Sequence, residues 1–214
     1  MEDIKVMPKP DWVSYDAIHE LLKEAHKKNY EKGIVLRFSQ MSGDEIKQYL
    51  GEESECWVAM SGDKLVGTTS VKFFKGKSWW NKGKKVAHGC FTGILKQYQG
   101  IGILEELNAL KYAYIKEHDA DMNQGDTSED NRTMLKVLVK DGYKVVSFFA
   151  PVGVDHYSVK VVKWLNGCPF SDEFIARRYR LSEKLTKFQY DKGQKSRSRF
   201  RSIICRGIRK LYRL

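Results

Sequence analysis

Ile18, Leu21, Leu22 and Ala25 recur at helical spacing behind Ser14. They predict one amphipathic helix, capped by the Ser14 hydroxyl and running to about Glu31. A short strand at 4–7 precedes it, closed by Pro8 and Pro10. An apolar loop over 33–41 follows, and Ser42 opens a second helix through Leu50. The apolar period then changes to that of strands. Residues 56–60 and 64–75 form a hairpin about Ser61, Gly62 and Asp63, and 86–95 is a further strand beyond a tip that holds Trp79 and Trp80. Gly100-Ile101-Gly102 leads into a helix ending near His118. A strand at 121–124, a helix at 131–141 stopped by Gly142, and strands at 143–150 and 156–162 complete the body.

The order is βααβββαβαββ. Strand-helix-strand units in the second half need parallel neighbours, whereas the first half is joined by hairpins. The expected fold is α/β (α+β): a mixed, mostly antiparallel central sheet with helices on both faces. Beyond Trp164, residues 172–190 read as a helix with Phe174, Ile175, Leu181, Leu185 and Phe188 as its apolar positions. A polar linker at 191–199 and a basic helix at 200–214 follow, so the chain divides into a body, 1–165, and an extension, 166–214.

Composition changes this picture in one respect. The chain of 214 residues is 42% hydrophobic and 30% charged, which suits a globular body. The net charge of +11 is uneven: residues 177–214 hold 14 Lys and Arg against two acids, Glu183 and Asp191, and the remainder nets −1. A basic appendage is implied, not a basic core. The start lacks a basic segment followed by an apolar run, and the longest apolar stretch, 145–154, is far below the ~20 residues that span a bilayer. Cys56, Cys90, Cys168 and Cys205 are scattered without a CxxC pair. Free thiols in the cytoplasm and no metal are expected.

The chemistry lies at residues 94–107. A strand runs into a glycine-containing turn that opens a helix, and such a turn aims backbone N–H groups at one point, where a pyrophosphate fits. An ordinary strand-to-helix turn has the same outline. The segment resembles motif A of the GNAT N-acyltransferase superfamily, Gln/Arg-x-x-Gly-x-Gly/Ala, in two registers. Gln97, Gly100 and Gly102 match literally. Gln99, Gly102 and Leu104 match with better surroundings, since Tyr98, Ile94 and Leu107 then take the aromatic, β-branched and apolar places. A second resemblance is the Asn-led helix from Asn131 through Met134 and Leu138 to Gly142-Tyr143. Together they cover residues 56–146 well and 1–55 by topology only.

What the resemblance implies is transfer of an acyl group, acetyl first, from acyl-CoA to a primary amine in a ternary complex. Ile94, Leu95, Gln99, Gly100, Ile101, Gly102, Ile103, Leu104 and Asn131 are the expected cofactor contacts, with an N–H of Ile94 or Leu95 stabilising the oxyanion. Asn131 reads equally as a helix N-cap. An amine nucleophile must lose a proton. His88 is the candidate base, on the strand leading to the cofactor loop and, in a regular strand, on the same face as Cys90, Thr92 and Ile94. The family's usual acid is a Tyr where this chain has Leu138, so Cys90 or water is left to protonate the CoA thiolate. The acceptor is expected to be a small-molecule amine, an amino sugar among the options, held by the 33–41 loop and a loop at 151–155. Trp79 and Trp80 form either a binding platform or packing for the tail helix.

The stretch that begins at Phe200 and runs to Leu214 places Phe200, Ile203, Ile204, Gly207, Ile208 and Leu211 on one helical face. Arg201, Arg206, Arg209, Lys210 and Arg213 flank it. That pattern suits an anionic membrane surface, peripheral to the inner face, or docking on the body or on a second copy in a homodimer. Nucleic acid is the less favoured partner, because the body has no basic excess. A degenerate GNAT fold acting as a CoA-binding or scaffolding module is the alternative to an enzyme.

Overall fold

A computed structural model of the chain describes residues 4–31, 34, 36–151 and 156–195. All of the predicted 151–155 loop but Pro151, residues 33 and 35 of the predicted 33–41 loop, and the basic helix at 200–214 lie outside these residues. Seven strands form one sheet in the order β1-β2-β3-β4-β5-β7-β6. They are β1 Ile4–Pro8, β2 Ser54–Ser61, β3 Lys64–Lys75, β4 Lys85–Ile94, β5 Met122–Ser128, β6 Lys144–Phe149 and β7 Ser158–Trp164. All neighbouring pairs are antiparallel except β4 and β5, which run parallel. The expected mixed, mostly antiparallel sheet is present.

Among the described residues six α-helices cover it: α1 Tyr15–Ala25, α2 Lys27–Glu31, α3 Gly43–Leu50, α4 Ile103–Glu117, α5 Arg132–Lys140 and α6 Asp172–Lys195. Ser14 accepts a hydrogen bond from the Ala17 N–H, and Ser42 and Glu45 form a reciprocal capping box, which fixes both helix starts as the sequence indicates. The sheet has one face toward α1, α3 and α6 and the other toward α4 and α5. Cross-strand partners share a face. Leu22 and Ala25 meet the first face at Gly93, and Ile103 meets the second at Gly67. Ile103, Leu107, Lys111 and Ile115 are the buried stripe of α4. Val58, Val66, Val71, Ala87, Leu107 and Ile115 form the centre of the main core.

Two helical expectations need correction. The first predicted helix breaks at His26, whose N–H bonds the carbonyls of Glu24 and Leu22 and whose ring bonds the Thr92 carbonyl at 2.9 Å. The break lets a side chain near the helix end reach β4. The polar segment taken as a linker from 191 continues α6 as far as Lys195. Polarity alone does not end a helix, and this helix is anchored upstream: the Phe148 N–H donates to Ser182 Oγ, the Thr186 hydroxyl donates to the Phe148 carbonyl, and Ile175 is buried against Val86, Met122, Val146 and Val162.

Candidate active site

The glycine turn has the form the sequence implies, for a reason rooted in backbone conformation. Gly100 and Gly102 hold left-handed φ of 80° and 95°, and Gly102 is the N-cap of α4. Only glycine takes such angles without strain. A Cβ at either position would meet nothing within 4 Å, so the space beside the turn is open. The Glu106 N–H bonds the Gly102 carbonyl, leaving those of Ile103, Leu104 and Glu105 as the orphan donors of a first turn. Half-buried Leu104 and exposed Ile101 flank these donors. The Gln99 amide donates to the Ile94 carbonyl at 2.9 Å, which ties the turn to the end of β4.

β4 and β5 pair only at Val86↔Met122, Ala87↔Asn123 and His88↔Gln124. β4 then continues to Ile94 and β5 to Ser128 without pairing to each other. The strands part into a gap with an unpaired β4 edge. In an antiparallel ladder the N–H groups of successive residues point to alternate sides. The Leu95 N–H donates to the Val66 carbonyl on β3, so the Ile94 N–H is directed toward the gap. Of the two N–H groups considered for an oxyanion, Ile94 has the free orientation and Leu95 is engaged.

The strand is not regular between His88 and Ile94. Ser70 pairs with Cys90 but Thr68 pairs with Gly93, which leaves an extra residue on β4, and Phe91 there has φ 49°. This bulge inverts the two-residue alternation. His88 and Cys90 therefore face α1 and α3, whereas Ile94 faces α4. The shared face inferred from even spacing is corrected by the bulge.

His88 is 7% exposed and forms part of the wall of a recess of about 310 Å³ with Tyr49, Lys72, Phe74, Gln124 and Lys160. A neighbouring recess of about 580 Å³ adds Trp80, Asn81, Lys75 and Lys77. Lys160 pairs with Asp126 at 2.5 Å. The Lys72 ammonium donates to the Tyr49 carbonyl at 2.8 Å and lies 3.3 Å from the Tyr49 ring centre. Burial lowers the His88 pKa to about 4. Asp126 and the Gln124 carbonyl oppose the shift, and Lys160 and Lys72 add to it. The imidazole is thus neutral at pH 7, below the near-neutral pKa preferred for a base. Its Nδ1 has no hydrogen-bond partner. Burial pushes the Cys90 thiol up to about 12, although the residue as a whole is only half-buried, so it is a neutral thiol and not a thiolate.

Asn131 caps α5, its Oδ1 accepting from the Met134 N–H at 3.3 Å. The N-cap reading of this residue is fulfilled, and its NH₂ group is left for other contacts. Leu138 packs against the cluster of Tyr143, Phe148, Val159 and Val161. Trp79 packs edge-on against Phe170 and Phe174, at 5.3 and 5.5 Å between ring centres, so it serves the tail helix. Trp80 instead donates its indole N–H to Gln124 Oε1 at 2.9 Å and lines the larger recess.

Sequence reasoning missed several residues of this region. His26 reaches the β4 bulge. Tyr49, Lys72, Phe74, Gln124 and Lys160 meet His88 from four elements, α3, β3, β5 and β7, and nothing in their local spacing shows it. Lys111 did carry a signal: it stands four residues from both Leu107 and Ile115, in the middle of an apolar stripe.

A mixed sheet with two parallel strands that part above a glycine-opened helix is the fold of the GNAT acetyltransferases, and solved structures of that class superpose on this chain. One is the Arabidopsis thaliana NAA60 structure in complex with a bisubstrate analogue: TM-score 0.57, 15% identity, covering 77% of this chain and 99% of that one. A probable acetyltransferase from Staphylococcus epidermidis gives 0.58 at 15% identity, over 76% and 99%. A GNAT-family acetyltransferase from Staphylococcus aureus gives 0.59 at 14%, over the same shares. No protein-family model and no curated protein sequence matches the chain.

Proposed function

We propose that the chain is an acyl-CoA-dependent N-acyltransferase that acylates the primary amine of a small polar acceptor. The observation that carries this is the gap between β4 and β5, open beside a glycine turn whose N–H groups are unengaged. The turn takes the CoA pyrophosphate, and pantetheine lies along the free edge of β4 as an added strand. Gln99, Gly100, Ile101, Gly102, Ile103 and Leu104 shape the phosphate end, and Ile94 and Leu95 the thioester end. Asn131, beyond its capping bond, reaches the cofactor arm through its NH₂ group. That an acetyl-CoA complex of Arabidopsis thaliana NAA60 shares the fold, with a TM-score of 0.55, is in keeping with this reading.

The acceptor amine enters from the α1 and α3 side, through the recesses beside His88. Their volumes suit a small molecule. Tyr49, Phe74 and Trp80 offer ring faces, and Asn81, Gln124 and Lys160 offer polar atoms, a lining suited to an amino sugar. The amine lone pair attacks the thioester carbon, the Ile94 N–H meets the developing oxyanion, and the C–S bond breaks with its electron pair on sulfur. The amine proton passes through water to neutral His88, and water protonates the departing thiolate, the Cys90 thiol at about 12 being too weak an acid for that step. Residues 1–165 hold these parts. The extension, 166–214, supplies α6 and, through residues 200–214, contact with an anionic membrane surface.

The test is calorimetric titration of the full chain with CoA and acyl-CoAs, then an acceptor screen that detects free CoA thiol. Binding with turnover on an amine is expected. No binding at millimolar concentration overturns the reading. Binding without turnover on any amine favours a CoA-binding module.

A further inference from the structure

The closed end of the β4–β5 gap is polar where a pocket for acetyl would be apolar. The buried stripe of α4 is Ile103, Leu107, Lys111 and Ile115, so Lys111 points at the sheet from the place of a core residue. It is 7% exposed. Its ammonium donates to Asn108 Oδ1 at 2.7 Å, and among the described residues no carboxylate pairs with it. Asn123 on β5 faces the same space. It is 1% exposed, and neither its Oδ1 nor its Nδ2 has a hydrogen-bond partner. Gly89, the first β4 residue beyond the last β4–β5 pair, is close to both: a Cβ there would stand 3.7 Å from the Lys111 ammonium and 3.7 Å from Asn123 Oδ1.

Burying an ammonium without a counter-charge is costly, as is burying an amide that bonds nothing. Both costs fall at one spot, beside a residue without a side chain. An anion there would accept from Lys111 and from the Asn123 amide together. The position also matches the path of the cofactor. From Ile94 to Gly89 β4 advances about 16 Å at strand rise, away from the phosphate end and toward the apex. A malonyl or succinyl group reaches only ~3–5 Å past its thioester carbon, so its far end meets Gly89 when the thioester sits beside the bulge, deeper in the gap than Ile94.

We infer that this apex is an acyl-terminus site, with Lys111 and Asn123 gripping a carboxylate, and that the acyl donor is a dicarboxylic acyl-CoA of the malonyl or succinyl kind. The inference rests on the acyl-CoA reading above and departs from acetyl as the group transferred. Lys111 and Asn123 are binding residues here; the bonds made and broken at the thioester carbon are unchanged, and a thioester seated this deep leaves the Ile94 N–H to the pantetheine.

The test compares the dissociation constants of CoA, acetyl-CoA, malonyl-CoA and succinyl-CoA for the full chain and for Lys111→Met. Methionine fits the apolar stripe, and the melting temperature checks the fold. In the unaltered chain at least one dicarboxylic thioester is expected to bind ten-fold or more tighter than acetyl-CoA. In Lys111→Met that ratio falls to near one, with CoA as the common reference. If acetyl-CoA binds as tightly as both dicarboxylic thioesters, the inference is overturned while CoA binding stands. A preference that survives in Lys111→Met also overturns it, because it then reflects the general attraction of a basic chain. If no CoA species binds, the acyl-CoA reading itself fails.

Discussion

His88 and Ile94 lie on opposite faces of β4, although six positions separate them, because the bulge at Phe91 inserts one residue into the alternation. The acceptor recess and the thioester edge are therefore on different sides of the sheet and meet only through the opening between β4 and β5.

Gly102→Asp places a Cβ at φ 95° and a negative charge beside the orphan N–H groups. Gly102→Asn has the same shape without the charge and tolerates left-handed φ better than most residues. Asparagine should cost ~1 kcal/mol of stability and retain measurable CoA binding, whereas aspartate should lose binding at the same melting temperature. Titration calorimetry on both variants decides this. Equal CoA affinity in the two would remove the turn from the phosphate site.

His88 sets an acid limit on stability. Its folded pKa of about 4 lies below the ordinary 6.5, so the unfolded chain binds the extra proton between those values. Stability is then complete above pH 6.5 and is lost as pH falls toward 4, by about 3 kcal/mol from this residue. Urea unfolding at pH 7.5 and pH 4 should show His88→Gln losing about 3 kcal/mol less than the parent on acidification. Identical losses would mean that the ring is not held neutral by burial.

Lys111 has the same sign at the alkaline end. Burial lowers its pKa to about 8, with Cys90 and Asp141 opposing the shift. Below pH 8 the folded chain carries the whole penalty of the buried charge, and the penalty is relieved as pH rises toward 10.5. Lys111→Met should raise stability at pH 7 by about 3 kcal/mol, with the gain shrinking between pH 8 and 10.5. A destabilised variant at pH 7 would show that the ammonium holds the free fold together.

Much of the fold was legible because it rests on local signals. Ser14 and Ser42 announce their helices, the turn at Gly62 announces its hairpin, and Gly142 ends α5. The glycine turn before α4 was legible for the same reason. What the sequence hid depends on distant partners. The bulge at Phe91 carries no glycine to mark it, the bend at His26 is explained by Thr92, 66 residues away, and α6 continues past its polar run because Ser182 and Thr186 hold its earlier turns on Phe148. The recess around His88 draws on α3, β3, β5 and β7 and so has no sequence motif of its own.

Cys90 should be slow toward alkylation. With its thiol at about 12, the thiolate fraction at pH 8 is ~10⁻⁴, against roughly a quarter for an ordinary thiol. Iodoacetamide labelling followed by peptide mass spectrometry should find Cys90 modified at least 100-fold more slowly in the folded chain than after denaturation. Labelling at the denatured rate would place the thiol in contact with solvent.

Two truncations separate the extension's roles. Removing residues 196–214 leaves every described contact of α6 in place, so melting and CoA binding should be unchanged while binding to anionic vesicles is lost. Removing residues 172–214 strips Ile175 from Val86, Met122, Val146 and Val162 and should lower the melting temperature by several degrees. Vesicle binding retained by the shorter deletion would move the membrane contact into the body.

The sheet is continuous in order yet nearly two sheets in mechanics. Four antiparallel strands on one side and three on the other are stitched by the pairs at Val86, Ala87 and His88 and by the bonds between Lys85 and Asp121 at their closed end. Exchange of backbone hydrogens should follow that seam: slow within each half, faster along the β4 edge from Gly89 to Ile94. A thioester laid against that edge would act as mortar between the halves, so its arrival should register as new protection on β4 and as a joint melting of two blocks that otherwise loosen separately.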